Sequence, residues 1–179
     1  ETMVTFYDGV KYSLDHHVDG AIARGRPFQI LVCSETNGTG GVIFINLHNG
    51  HRQDVATIAA DLSASAKGLP LSSAEQNYRI IVVGDFNEPA FSGGQVTQWK
   101  PLDGIGISTE VKIGAKPYTC CRSDGEWAES DGSVGQGHSP GDYIFDSGSD
   151  AAVHVPPSYN PRKLCSDHLP VMAVLPAGS

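Results

Sequence analysis

Asp167 and His168 stand side by side at the mouth of an apolar run, residues 169–175. Neighbouring residues on a strand point to opposite faces. An acid and an imidazole in that position therefore belong where the backbone can turn both toward one site. Three other stretches have the same form. Residues 80–83 are Ile-Ile-Val-Val and run into Gly84-Asp85-Phe86-Asn87. Asp142 opens the apolar stretch 143–145, and Asn46-Leu47-His48 closes the run 42–47. Carboxylates and imidazoles are the side chains of general acid–base chemistry. Carboxylate oxygens also suit a hard divalent cation such as Mg²⁺, which keeps several of its waters. The sequence has no Cys-x-x-Cys and no His-x-x-x-His of the kind zinc selects.

The elements that would position these residues follow from the spacing of apolar side chains. Residues 28–33 and 42–47 are apolar and β-rich, and the Gly-rich turn 37–41 predicts a hairpin between them. Residues 79–83 predict a central strand, apolar on both faces. Val55, Ile58, Ala59, Leu62 and Ala66 follow helical spacing, and Gly68-Leu69-Pro70 is a stop signal. Further strands are expected at 3–7, 106–111, 117–121, 143–146, 151–155 and 168–175. Residues 12–24 show no clear period. Sheet packed on sheet with helices outside is the architecture these elements suit. The whole chain, residues 1–179, reads as one domain without an internal repeat or linker.

Composition narrows the partners. A length of 179 residues is enough to bury a real core. No apolar run approaches a membrane span. The net charge of −8 argues against binding nucleic acid by charge alone, and the 12 basic residues are scattered. The polar loop 123–140 carries Asp124, Glu126, Glu129 and Asp131, and leads into Asp142. Of the four cysteines, Cys33 reads as a buried thiol; Cys120 or Cys121 could reach Cys165, and the pairing stays open. Asn37-Gly38-Thr39 is a glycosylation acceptor pattern, which with the even cysteine count leans toward a secreted protein. His16 and His17 are adjacent, so on a strand they face apart and read as surface residues.

In this order, Asn46-Leu47-His48, Gly84-Asp85-Phe86-Asn87, Asp142-Tyr143-Ile144-Phe145 and Ser166-Asp167-His168-Leu169-Pro170-Val171 resemble the endonuclease/exonuclease/phosphatase superfamily, the fold of pancreatic deoxyribonuclease. The likeness runs from about Arg26 to the C-terminus. It implies an α/β fold, a four-layer α/β/β/α sandwich of mostly antiparallel sheets. It also implies a phosphoesterase that hydrolyses a mono- or diester by water attack with Mg²⁺ or Mn²⁺. Asp85 would orient and deprotonate the water or lie beside the metal, and Asp167 would be a metal ligand. Asn87 would hydrogen-bond a phosphoryl oxygen or hold Asp85. His168 would contact the phosphate, Asp142 would receive its other ring N–H, and His48 would donate to the phosphate or the leaving oxygen. Asn46, His51 and Arg52 would contact substrate, the last two from a helix start whose N–H groups favour anions.

The expected substrate is a phosphorylated small molecule; a DNA or RNA nuclease is the alternative. The superfamily also carries a metal-binding Glu, usually after a Gln, on an early strand. Glu1 and Glu35 are poorly placed for that role. The expectation is therefore that N-terminal strands are missing from this chain, and that an upstream fragment or a second chain completes the fold. A non-catalytic protein reusing the fold is the reading from a different class.

Overall fold

A computed structural model describes residues 3–22, 25–38, 40–48, 78–85, 142–146, 153–154 and 172–173. Seven strands are present among them: β1 (Tyr12–Ile22), β2 (Arg26–Glu35), β3 (Gly41–His48), β4 (Tyr78–Asp85), β5 (Asp142–Asp146), β6 (Val153–His154) and β7 (Met172–Ala173). The first five form one mixed sheet in the order β1-β2-β3-β4-β5, and β6 pairs with β7. Only β3 and β4 run parallel; the other pairings are antiparallel. The predicted helix over 51–67 and the predicted strands at 106–111 and 117–121 lie outside the described residues. Among the described residues no helix is long and apolar enough to cross a membrane.

Most of the core among the described residues sits on one face of the sheet. Ile30, Ile45 and Val82 lie opposite one another across β2, β3 and β4, each with no exposed surface. Phe28 and Leu47, then Val32, Ile43 and Ile80, line up beside them and are also buried. Each such aliphatic side chain contributes roughly 1.5–3 kcal/mol by leaving water. The opposite face is mixed. Leu31, Cys33 and Ile81 are buried there, but the same face carries Gln29, Asn46, His48 and Asp85. Period-2 alternation makes this division: in β3, residues 43, 45 and 47 are buried while 42, 44, 46 and 48 are half-buried.

β1 closes one end of the sheet and is exposed along most of its length. Its charged and polar side chains, and a register shift at Asp15, discourage another strand from adding there. Gly20 lies under the Phe28 ring, where a Cβ would overlap it.

Residues 3–7 are not the strand that their Val-Thr-Phe-Tyr run predicts; no ladder forms there. Val4 and Phe6 are 60% and 92% exposed, so little of the segment's apolar surface is buried, and strand propensity depends on such packing. It crosses the mixed face instead. The Asp8 carboxylate accepts from the Val10 N–H (2.9 Å) and the Asp8 carbonyl from the Tyr12 N–H (3.0 Å), turning the chain into β1.

Candidate active site

Parallel pairing brings the ends of β3 and β4 to the same rim of the sheet. His48 and Asp85, each the last residue of its strand, are register partners there. β5 runs the other way, so its first residue, Asp142, lies opposite Asp85. Directly opposed residues share a face. One rung thus carries an imidazole and two carboxylates from three segments far apart in sequence. His48 Nε2 is 3.5 Å from Asp85 Oδ2, an electrostatic contact longer than an ordinary hydrogen bond. The two side chains are 27% and 17% exposed, enough to meet a ligand and little enough to weaken screening by water.

Gly84 is what lets the strands come this close. Its φ is +140°, and a Cβ there would overlap the Leu47 carbonyl oxygen. A glycine without that atom permits the approach and sets the neighbouring Asp85 beside His48.

Asn46 is two residues before His48 on the same strand face, one rung further in, with Val83 as register partner. Its Nδ2 donates to Thr5 Oγ1 at 3.4 Å. Thr5 Oγ1 in turn donates to Gln29 Oε1 at 3.0 Å. Gln29 Nε2 donates to Asp19 Oδ1, also 3.0 Å, and His17 Nε2 lies 3.0 Å from Asp19 Oδ2. A polar seam therefore crosses the sheet next to the His48 rung. Neither Thr5 nor Gln29 stands out as a site residue in the sequence. The one signal was a lone amide inside the apolar stretch 28–33.

Of the residues expected at the site, Asn46, His48, Asp85 and Asp142 come together at this rim. Asn87, Asp167, His168, His51 and Arg52 lie outside the described residues. His16 and His17 are exposed on β1, as surface residues.

Asp85 and Asp142 are carboxylates directly opposed at this rim. Their oxygens are hard donors, and a Mg²⁺-type ion needs only one or two carboxylates because it retains waters. Among the described residues, no three His, Cys, Asp or Glu side chains close a metal cage by themselves. The donor set fits a partly hydrated hard cation and does not fit a thiolate-bound one.

A pocket of about 200 Å³ lies on the same face toward the other end of the strands, lined among others by Phe6, Leu31, Cys33, Phe44 and Ile81. Among the described residues its lining holds no acid–imidazole pair. Cys33 is a free, buried thiol; burial, and then the Asp15 carboxylate, push its pKa up. A raised pKa leaves it a poor nucleophile.

No protein-family model matches the sequence, and a search of curated proteins finds no match. Solved structures do match. A conserved protein of unknown function from Enterococcus faecalis V583 is similar over 97% of this chain and 69% of its own, at 17% identity and a TM-score of 0.61. An endonuclease/exonuclease/phosphatase from Bacteroides vulgatus is similar over 93% of this chain and 67% of its own, at 15% identity and a TM-score of 0.60. A mannosyl-6-phosphatase from Bacteroides thetaiotaomicron VPI-5482 is similar over 94% and 69%, at 19% identity and a TM-score of 0.53. The chain thus spans about two thirds of the length of these structures. Together with the rung of His48, Asp85 and Asp142, they show that the chain has the endonuclease/exonuclease/phosphatase fold.

Proposed function

We propose that the protein is a phosphoesterase that cleaves a phosphate ester by water attack, with a divalent cation as cofactor. The observation that carries this reading is the rung itself: His48, Asp85 and Asp142 from three strand ends, with His48 and Asp85 in contact. In this reading Asp85 orients the attacking water and takes its proton as the bond from water oxygen to phosphorus forms. His48 gives a proton to the leaving oxygen as its bond to phosphorus breaks. Asn46 and Asn87 hold phosphoryl oxygens or their neighbours, with His51 and Arg52 as further contacts. Asp142 steadies the His168 imidazole. When bound, Mg²⁺ or Mn²⁺ would supply positive charge at the phosphoryl oxygens, with Asp85 and Asp167 as its protein ligands. Most of the rate in phosphoryl transfer comes from such positioning and charge.

The preferred substrate class is a phosphorylated small molecule. A net charge of −8 disfavours a polyanion, and one structural neighbour is a mannosyl-6-phosphatase. The test is an assay on p-nitrophenyl phosphate and on supercoiled plasmid. Turnover of the first, loss with a chelator and recovery with Mg²⁺ or Mn²⁺ are expected. Asp85→Ala and His48→Ala should each lower kcat about 10²–10⁴-fold. Near-normal rates in both variants would remove the assignment; plasmid cutting without small-ester turnover would make it a nuclease.

A further inference from the structure

We propose that Thr5 and Gln29 are positioning residues that hold Asn46 in one amide orientation beside the His48 rung; this rests on the hydrolytic reading of that rung. An ionised carboxylate only accepts hydrogen bonds. Asp19 therefore takes an N–H from His17 on one oxygen and an N–H from Gln29 on the other, both at 3.0 Å. That fixes the Gln29 amide, with Oε1 turned to Thr5. An acceptor there commits the single Thr5 hydroxyl proton, at 3.0 Å. With its proton used, Thr5 Oγ1 can only accept, and it accepts an N–H from Asn46. The Asn46 amide cannot flip without setting two acceptors against each other. One N–H of its Nδ2 stays on Thr5, and the second N–H of that nitrogen is the donor Asn46 offers to a phosphoryl oxygen.

Geometry makes the seam continuous. Asp19, Gln29 and Asn46 are successive register partners across β1, β2 and β3, and Thr5 lies over Gln29 and Asn46 from the segment ahead of β1. Thr5, Gln29 and Asn46 are each half-buried, whereas the Asp19 links are exposed. The inner two bonds therefore carry most of the orienting effect, since water competes less for them.

One such bond is worth about 0.5–1.5 kcal/mol, or roughly 2- to 12-fold. Thr5→Val keeps the side-chain shape and removes the hydroxyl; Gln29→Met does the same for the amide. Each should raise KM for p-nitrophenyl phosphate about 5-fold with kcat within about twofold. Thr5→Ser should restore the wild-type KM. Asn46→Ala should show a rise at least as large, and Thr5→Val added to it should cause no further change, as coupled residues require. An unchanged KM in both Thr5→Val and Gln29→Met, or full additivity with Asn46→Ala, overturns the proposal. Side-chain amide signals in a ¹⁵N–¹H spectrum give a readout that needs no activity. Thr5→Val should shift the Asn46 and Gln29 NH₂ signals, and Thr5→Ser should leave them in place. If the wild type hydrolyses no phosphoester, the functional reading fails, and unmoved amide signals alone then decide against the seam.

Discussion

Cys33 shows how one side chain reports its surroundings. Its thiol is buried on the mixed face, with the Asp15 carboxylate adding to the cost of ionisation. The unfolded thiol ionises near its ordinary pKa, while the folded one does so only at higher pH. The stability that this provides is complete below the unfolded pKa and is lost as pH rises through the folded one. Urea unfolding near pH 8 and pH 10 should therefore show wild type losing more stability than Cys33→Ala over that interval; equal losses would contradict the raised pKa. Gly84 makes a second prediction at this scale. Alanine there must adopt a φ that side chains rarely tolerate and must push against Leu47. Gly84→Ala should cost about 1–3 kcal/mol or more in thermal unfolding. It should also lower activity, because Asp85 moves with the strand.

Among the elements, β2, β3, β4 and β5 could be read from sequence to within about two residues, because each is a short apolar run bounded by turn residues. β1 could not. It has solvent along its edge and over most of its side chains, and the shift at Asp15 breaks its phase, so no alternation survives to be read. Residues 3–7 failed in the opposite way: β-rich residues promised a strand, but no ladder forms there and Val4 and Phe6 stay exposed. The site follows the same division. That His48, Asp85 and Asp142 share one rim was legible because polar residues at the ends of apolar strands have few places to go. Thr5 and Gln29 were not, because their partnership depends on a segment folding over a sheet 24 residues further along. That information appears only when tertiary placement is known.

For the molecule as a whole, the described sheet is held by the apolar centre of its core face. Ile45 is fully buried at the centre of that face, between Ile30 and Val82. Ile45→Ala should cost about 2–5 kcal/mol, seen as a lower urea midpoint, with KM unchanged in the folded fraction because the side chain points away from the rung. His48, Asp85 and Asp142 are different in kind. Their strands are secured by main-chain ladders and by buried neighbours, and none of the three contributes to that apolar face. Replacing their functional groups should therefore leave the scaffold standing. On the hydrolytic reading proposed above, His48→Ala would be a sturdy decoy: a protein that still captures its phosphoester, does not consume it, and so could be used to fish it out of a cell extract.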